Sequence, residues 1–289
     1  MILKQYKQHF FKELESVFDE MEIESFFFLI SEHLHEIKRI DLALNPNYEI
    51  LDEDVEKWNF ILSELKKEKP IQYILGKTAF YGLDFFVNEN TLIPRPETEE
   101  LVEWILEENK EYEVKRSVLD IGTGTGCIPI SIKKNRPNST VFAIDISKGA
   151  LEIARNNAKQ NETDVLFIEQ DILETKSLNE IKELDLKLDI IVSNPPYVRN
   201  LEKQEIKKNV LDYEPHLALF VEDTDALLFY RKIAQLAKEK LSENGQLFFE
   251  INQYLGKETI ELLQALGFQN IDLKKDIYGN DRMIMATLK

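Results

Sequence analysis

The sequence is poor in several residue types, and each shortage narrows the class of protein. Its 289 residues include one cysteine, Cys127, which excludes an internal disulfide framework and suits a reducing cytoplasm. The four histidines show no metal-ligand spacing with that cysteine, so no metal site is expected. The most apolar run, residues 26–30, is too short to span a bilayer, and the acidic N-terminus is unlike a secretory signal. These shortages predict a soluble cytoplasmic protein without a membrane segment.

Basic residues are also scarce relative to acidic ones. The chain has 36 Lys and Arg residues against 53 Asp and Glu residues, which gives a formal net charge of −17. Nucleic-acid binders usually present a basic surface, because phosphate contacts supply most of their non-specific affinity. Direct contact with DNA or RNA is therefore not expected, although the total charge leaves room for local basic patches.

The first part of the chain has a helical pattern. Glycine is absent from residues 1–75, and apolar residues such as Phe11, Leu14 and Phe18 recur at three- and four-residue spacing. This pattern predicts a small domain of four or five short helices. Residues 76–97 change to an aromatic, β-prone sequence, which predicts a β-hairpin that links two domains.

The second part of the chain alternates between strand and helix patterns. From Ser117 onward, apolar strands and amphipathic helices follow one another at the spacing of an α/β fold. We therefore predict a mostly parallel sheet, covered by helices on both faces, in a domain over residues 98–289. The last two strands are close in sequence, which suggests an antiparallel hairpin at the sheet edge.

A glycine-rich turn follows the first strand of this domain. After Asp120 the turn is built of Gly122, Thr123, Gly124, Thr125 and Gly126. A dinucleotide fingerprint would place its third glycine one residue later, and the Gly-Lys-Ser/Thr ending of a phosphate-binding loop is missing. The Gly-x-Gly-x-Gly spacing is typical of enzymes that use S-adenosylmethionine, so this cofactor is predicted here. The alternative interpretation is a tight strand–helix connection without a ligand.

Acidic residues end the next two strands. Asp145 follows an apolar strand, where a carboxylate can accept hydrogen bonds from both ribose hydroxyls. Asp171 ends the third strand and could accept from the adenine amine, with Ile172 lying against the ring. Both carboxylates could instead be ordinary strand ends. Cys127 is interpreted as a small packing residue, because no histidine is near it in sequence.

The fourth strand ends in the most specific motif of the chain, Asn194-Pro195-Pro196-Tyr197. The prolines stiffen an extended turn. The side-chain carbonyl of Asn194 and the backbone carbonyl of Pro195 can then accept both hydrogens of a planar –NH2 group, while Tyr197 can stack on its plane. The alternative is a Pro-Pro turn after a buried strand, but ligands bind at this edge of a parallel sheet.

Binding of an –NH2 group by two carbonyl oxygens matches the chemistry of methyl transfer to a planar nitrogen. The lone pair of an amide or arylamine nitrogen is delocalised, so the nitrogen is a weak nucleophile. Two fixed acceptors favour positive charge on that nitrogen and orient its lone pair. Positioning and electrostatics can then supply the rate without a metal or a covalent intermediate.

These motifs, taken in order along nearly the whole chain, resemble the release factor glutamine methyltransferases (the PrmC/HemK family). The Asn-Pro-Pro-Tyr motif is also found in adenine DNA methyltransferases and ribosomal RNA methyltransferases, so other segments narrow the resemblance. Those segments are Pro70–Gly76, Leu92–Glu99 with its Pro-Arg-Pro-Glu-Thr motif, Asp120–Gly126, Asp145 and Glu214–Leu219.

The resemblance implies a fold, a cofactor and a substrate. The fold would be a Rossmann-like class I S-adenosylmethionine methyltransferase domain with a small N-terminal helical domain for docking. The family methylates the glutamine amide in the Gly-Gly-Gln motif of class I peptide chain release factors, a step linked to translation termination. The residues carried over are Gly122–Gly126, Asp145 and Asn194 for the cofactor, and Asn194, Pro195 and Tyr197 for the glutamine. Members often have an aromatic residue at the position where this chain has Ile172. The aliphatic side chain of Ile172 weakens the expected stacking on adenine.

Three rival interpretations remain open at this point. The same reaction could act on a glutamine of a ribosomal protein. The chain could instead methylate amino groups of adenine or guanine in nucleic acid, which its acidity disfavours. A catalytically silent binding module is disfavoured, because every candidate catalytic position is present.

Overall fold

The computed structural model describes residues 1–288 of the chain. Within them, the chain forms twelve α-helices and eleven β-strands. The helices are α1 (Leu3–Leu14), α2 (Glu20–His35), α3 (Arg39–Leu44), α4 (Asp52–Leu65), α5 (Ile71–Leu75), α6 (Pro96–Glu108), α7 (Cys127–Asn135), α8 (Lys148–Gln160), α9 (Lys208–Tyr213), α10 (His216–Leu219), α11 (Leu228–Lys240) and α12 (Gly256–Ala265). The strands are β1 (Lys77–Phe80), β2 (Leu83–Phe86), β3 (Ser117–Ile121), β4 (Thr140–Asp145), β5 (Leu166–Glu169), β6 (Leu188–Ser193), β7 (Val198–Arg199), β8 (Phe220–Val221), β9 (Leu241–Glu250), β10 (Gln269–Lys275) and β11 (Asp281–Thr287).

The chain divides into two compact units. The helical unit comprises residues 1–76 together with residues 207–213. The sheet unit comprises residues 77–206 and the chain from residue 214 onward. Helix α9 therefore belongs to the helical unit, although it lies far along the chain from the other helices of that unit.

The helical unit is built around aromatic side chains. Its first five helices agree with the predicted number of short helices, and Asp19 caps α2 by accepting a hydrogen bond from the Glu22 N–H at 2.9 Å. The rings of Phe10, Phe27 and Trp58 are fully buried in contact with one another; the ring centroids of Phe27 and Trp58 are 5.0 Å apart. Burial of these large rings stabilises short helices that would be marginal alone.

Polar contacts attach α9 to the helical unit. The Lys208 ammonium lies 2.8 Å from the Glu68 carboxylate, and the Tyr213 hydroxyl donates to the Lys67 carbonyl at 2.8 Å. Neither pair can be inferred from sequence spacing, because more than 130 residues separate the partners.

The sheet unit contains a seven-stranded sheet in the order β10-β11-β9-β6-β3-β4-β5. Strands β3, β4, β5, β6 and β9 pair in parallel, whereas β11 pairs antiparallel with both β9 and β10. This confirms the predicted α/β fold with a mostly parallel sheet and an antiparallel hairpin at its edge. Successive residues of the buried strands point to opposite faces of the sheet. Val118 packs with α6, α7 and α8, while Leu119 packs with α11 and α12.

The strand order reverses at β3, which creates a crevice at the carboxyl edge of the sheet. From β3 the chain adds β4 and β5 on one side and then β6 and β9 on the other. The Ser193 hydroxyl at the end of β6 donates to the Ile121 carbonyl at the end of β3, at 2.6 Å. The segments that follow β3 and β6 therefore diverge from one point, which is where open α/β sheets bind ligands.

The aromatic segment after the helical unit forms the antiparallel hairpin β1–β2. It belongs to the sheet unit, where the Asn157 side chain of α8 bonds both the N–H and the carbonyl of Phe86, at 2.6 and 3.0 Å. No helix in residues 1–288 is long and apolar enough to cross a membrane.

Candidate active site

A cavity of about 340 Å³ lies at the carboxyl edge of the sheet unit. That volume falls in the range of small-molecule sites. Its walls come from the ends of β3, β4, β5 and β6, from the segment that precedes α6, and from α10 and α11. The lining includes Gly122 to Thr125, Asp145, Asp171, Ile172, and Asn194 to Pro196. The structure thus brings together residues that the sequence places in four separate segments.

The glycine turn gives the cavity an open floor. Gly122, Gly124 and Gly126 have φ values of 78°, 53° and 79°, a conformation that favours glycine. A Cβ added at Gly122 or Gly124 would meet no protein atom within 4 Å, so the space in front of both is open. At Gly126 a Cβ would lie 2.9 Å from the Ile130 side chain, so that glycine serves close helix packing instead.

Asp145 is oriented by the backbone around it. One carboxylate oxygen accepts from the Gly124 N–H at 2.8 Å, and the other accepts from the Ser147 N–H at 2.9 Å. Burial raises the pKa of Asp145, and these backbone N–H groups oppose that rise. Each oxygen has a second lone pair, so the carboxylate can accept two further donors from a ligand in the cavity.

Asp171 and Ile172 lie side by side in the cavity wall, beyond β5. The Asp171 carboxylate accepts from the Leu173 N–H at 2.8 Å, which fixes its orientation. Ile172 is 92% buried and presents an apolar side chain to the cavity. A flat ring with one exocyclic amine fits this combination of a carboxylate beside an apolar surface.

Asp120 is a buried carboxylate that the sequence analysis did not assign to a role. It is fully buried at the end of β3, and neither carboxylate oxygen has a hydrogen-bond partner. Burial raises the pKa of Asp120 to about 7, partly opposed by the nearby Thr123 hydroxyl, while the Asp145 charge raises it further. The Thr123 hydroxyl is itself buried and forms no hydrogen bond of normal geometry. Thr123 lines the cavity, whereas Asp120 lies beneath its lining and contributes an unpaired negative charge beside the glycine turn.

A chain of hydrogen bonds holds the segment Asn194-Pro195-Pro196-Tyr197, named here the acceptor motif for its predicted role. The Asn194 side-chain amide donates to the Thr98 hydroxyl at 3.3 Å, and that hydroxyl donates to the Glu250 carboxylate at 2.6 Å. The other oxygen of Glu250 accepts from the Tyr197 hydroxyl at 2.9 Å. Burial raises the pKa of Glu250, while the two hydroxyls and the Arg282 guanidinium oppose the rise. Sequence analysis missed Glu250, although its place at the end of an apolar strand was a usable signal.

The four residues of the acceptor motif do not all face the cavity. Asn194, Pro195 and Pro196 line it, whereas Tyr197 is not among its lining residues within the described part of the chain. The Tyr197 ring packs against the core and its hydroxyl bonds Glu250. Tyr197 therefore supports the motif in this structure, and its stacking on an acceptor group stays a prediction.

The Pro-Arg-Pro-Glu-Thr segment is tied to the Glu214 segment. Glu214 is buried, and its carboxylate accepts from the Arg95 guanidinium at 2.5 Å and from the Ile93 N–H at 3.1 Å. Pro94 and Arg95 line the cavity from one side, and Pro215 lines it from the other. The ion pair therefore closes a wall of the cavity with residues that are 119 positions apart in the sequence.

Cys127 is the nucleophile-type side chain beside the glycine turn. Burial raises the pKa of the Cys127 thiol to about 12, so the thiol stays protonated, which suits the predicted packing role. Within residues 1–288, no group of three or more His, Cys, Asp or Glu side chains is placed to hold a metal ion.

Comparison with known proteins agrees with both units. The model of the PrmC N-terminal domain matches residues 8–76, and that of the Methyltransferase small domain matches residues 98–216. The release factor glutamine methyltransferase of Flavobacterium psychrophilum is 60% identical over 100% of both chains, and that of Streptococcus pneumoniae is 40% identical over 99% of this chain and 98% of its own. A solved 16S rRNA N2 G1207 methyltransferase from T. thermophilus, in complex with AdoMet and guanosine, shares the fold. Its TM-score is 0.52 at 17% identity, over 74% of this chain and 50% of that chain.

The parallel sheet with its glycine turn, two cavity-lining carboxylates and Asn-Pro-Pro-Tyr motif defines an S-adenosylmethionine-dependent methyltransferase. Full-length identity to the curated relatives then fixes the family. The chain belongs to the release factor glutamine methyltransferases.

Proposed function

We propose that the chain methylates the side-chain amide nitrogen of the glutamine in the Gly-Gly-Gln motif of class I peptide chain release factors, in the cytoplasm where translation ends. The observation that carries this proposal is the position of Asn194. Its amide side chain lines the same cavity as the glycine turn and is held from behind by Thr98. Membership in a family named for this reaction supplies the substrate.

The cofactor half of the cavity fits S-adenosylmethionine group by group. Asp120 does not line the cavity, but its unpaired carboxylate directly precedes Ile121 and Gly122, which do, so its charge can attract the cationic amino group of the methionine part. The two free lone pairs of Asp145 suit the ribose hydroxyls. Asp171 and Ile172 suit the amine and the face of adenine. When bound, the cofactor supplies an electrophilic methyl group on a sulfonium.

The acceptor half of the cavity supplies two carbonyl oxygens. With its amide nitrogen bound to Thr98, Asn194 directs Oδ1 to the acceptor, and Pro195 contributes its backbone carbonyl. Both oxygens accept the hydrogens of the glutamine –NH2 group, orient its lone pair and favour the positive charge that develops on nitrogen during transfer. Leu217 and Phe229 add apolar side chains to the lining of the cavity.

A protein substrate agrees better with the charge of the chain than a nucleic-acid substrate. The net charge of −17 opposes binding to a polyphosphate backbone. We also propose that the helical unit docks the release factor, because binding energy remote from the reacting glutamine is what positions a protein substrate.

Methyl transfer to purified substrates tests the proposal. The full-length chain is incubated with radiolabelled S-adenosylmethionine and, in separate reactions, a release factor, ribosomal proteins and unmethylated DNA. We expect label on the release factor alone, at the Gly-Gly-Gln glutamine, and no label when that glutamine is replaced by alanine. Preferential labelling of a ribosomal protein or of DNA would replace this proposal with one of its rivals.

A further inference from the structure

The buried hydrogen-bond chain behind Asn194 has a direction, and that direction determines which end of the Asn194 amide faces the acceptor. We propose that Glu250 is a positioning residue for methyl transfer, acting through the Thr98 hydroxyl to keep Asn194 Oδ1 toward the acceptor amide. The proposal rests on the proposed function and adds to it the group that sets the orientation of the reacting site.

The members of this chain come from three elements that meet behind the cavity. Glu250 ends β9 and is 1% exposed, while Thr98 lies in the first turn of α6 and is 3% exposed. Asn194 directly follows β6. The bond between Thr98 and Glu250 is buried, and those of Asn194 and Tyr197 are partly buried. Water therefore has little access to the Thr98 hydroxyl, which needs an acceptor within the protein.

The chemistry of each group fixes the direction of the bonds. Two hydroxyl donors and the Arg282 guanidinium oppose the rise in pKa that burial gives Glu250, and they favour its ionised form. An ionised carboxylate can only accept hydrogen bonds, and Glu250 accepts one from the Thr98 hydroxyl at 2.6 Å and one from the Tyr197 hydroxyl at 2.9 Å. The Thr98 hydroxyl has a single hydrogen, which is directed to Glu250. Toward Asn194 it can therefore only accept, and it takes the side-chain Nδ2 at 3.3 Å.

The orientation of the Asn194 amide decides whether Asn194 attracts or repels the –NH2 group of the acceptor. An Asn side chain carries a carbonyl oxygen and an –NH2 group of nearly the same shape, so packing alone hardly distinguishes its two orientations. With Nδ2 held by Thr98, Oδ1 can accept a hydrogen from the glutamine amide. In the reversed orientation two –NH2 groups would face each other, and the acceptor nitrogen would be pushed away.

The surroundings of Glu250 favour its role as an acceptor only. Arg282 is the nearby cation, and its guanidinium is fixed by Asp276 at 3.1 Å. Tyr197 adds the second donor, so both carboxylate oxygens are occupied. A neutral glutamine at position 250 would carry its own –NH2 group and could donate to Thr98, which would free the Thr98 hydrogen to bind Asn194 Oδ1.

A purely structural role is the competing explanation, since the same bonds join α6 to β9. Three variants separate the two roles. Thr98→Val removes the hydroxyl at nearly constant shape, Thr98→Ser retains it, and Glu250→Gln retains the shape of the carboxylate but adds a donor. Thr259→Val is the matched control, because Thr259 is fully buried in the same unit and its hydroxyl bonds the carbonyl of Leu255, the residue before α12, at 2.7 Å.

The first measurement is steady-state methylation of a release factor. We expect Thr98→Val and Glu250→Gln to lower kcat about 10- to 100-fold, with KM and the Kd of S-adenosylmethionine changed less than about threefold. Thr98→Ser should keep kcat within about threefold of the parent. Thr259→Val should lower stability while keeping kcat. If Thr98→Val behaves like Thr259→Val, the positioning role is wrong.

The second measurement does not depend on turnover. The side-chain ¹⁵N–¹H₂ signals of Asn194, assigned by their loss in Asn194→Ala, report directly on the bond to Thr98. We expect these signals to shift in Thr98→Val and Glu250→Gln and to stay in place in Thr98→Ser. Unchanged signals in Thr98→Val would overturn the proposal. Failure of the parent enzyme to methylate a release factor would instead refute the proposed function, and the Asn194 signals would still decide the orientation.

Discussion

The helical unit and the sheet unit bury different kinds of side chain. Within residues 1–76 and 207–213, no Asp or Glu residue is buried. The hydroxyl of the buried Ser31 bonds a carbonyl of its own helix at 2.8 Å, and the His35 side chain, 4% exposed, accepts from the Trp58 indole N–H at 3.0 Å. The sheet unit buries several carboxylates, among them Asp120, Glu214 and Glu250. Burying a charged group costs stability. Because the buried carboxylates lie in the sheet unit, we infer that this unit carries the reaction.

Both units expose large apolar side chains, but the helical unit exposes more for its size: eight in fewer than 90 residues, against eleven in the described residues of the larger sheet unit. In the helical unit, Met21, Leu44 and Phe60 are 84%, 79% and 61% exposed, in a unit of fewer than 90 residues. An apolar core beneath exposed apolar side chains suits a rigid module that binds another protein. The buried carboxylates and the cavity place the reaction in the sheet unit, and docking of the release factor by the helical unit stays a prediction.

The largest effect is expected at Asn194. Asn194→Ala removes one of two carbonyl groups at the acceptor nitrogen and should lower kcat by about 10²- to 10³-fold, the size seen when one preorganised hydrogen bond is lost. The Kd of S-adenosylmethionine, measured by calorimetry, should change far less. Asn109→Ala is the control, because Asn109 is also buried in the sheet unit and bonds Ile105 and Gln246. Near-normal turnover in Asn194→Ala would contradict the proposed mechanism.

A pH-dependent effect on stability is expected at Asp120. Burial raises the pKa of Asp120 to about 7, so the folded protein binds this proton more tightly than the unfolded chain does. The stability that the proton provides is fully present below about pH 4, and it is lost as pH rises through about 7. Asp120→Asn stays neutral, so at pH 8 it should be more stable than the parent by roughly 2–4 kcal/mol.

Denaturant unfolding of both chains without cofactor, at pH 4.5 and pH 8, measures this difference. The stability gain of Asp120→Asn should shrink toward the lower pH, and the variant should bind S-adenosylmethionine more weakly, because it lacks a charge for the amino group. An equal stability difference at both pH values would exclude a raised pKa at Asp120.

The smallest effect concerns the exposed apolar side chains of the helical unit. Replacing Met21, Ile40, Leu44 and Phe60 together with serine should raise KM for an intact release factor about tenfold and leave kcat unchanged. A short Gly-Gly-Gln peptide should be methylated as before, because it makes few remote contacts. The control replaces Ile277 and Tyr278, which are 73% and 69% exposed in the sheet unit. An unchanged KM in the fourfold variant would leave the helical unit without a docking role at these residues.

Much of the fold could be predicted, because the signals were local. The alternation predicted from Ser117 onward is present, with β3 beginning at Ser117 and β4 ending at Asp145. Apolar periodicity and the positions of glycines depend on residues that are close in sequence. Such local patterns are sufficient to predict helices, strands and turns. The family, the cofactor and the mostly parallel sheet followed from motifs of this kind.

Other features were outside the reach of such signals. Residues 198–221 hold two short strands and two short helices, and nothing in their spacing predicted that α9 would pack with the helical unit. Tyr197 was predicted to face the acceptor, whereas its hydroxyl bonds Glu250. The stacking role of Tyr197 and the exact domain boundaries stay predictions.

The sequence by itself determined which chemical groups stand at the strand ends: the glycine turn, the carboxylates and the Asn-Pro-Pro-Tyr motif. Each is encoded within a few consecutive residues. Only the tertiary structure decided how these groups are oriented, since Thr98 meets Glu250 across 152 residues and Asn194 meets Thr98 across 96. No periodic pattern in the sequence connects residues so far apart, so these pairs cannot be predicted from it. They are brought together by the packing of β6, β9 and α6, and buried polar groups must then find their partners among whatever that packing supplies.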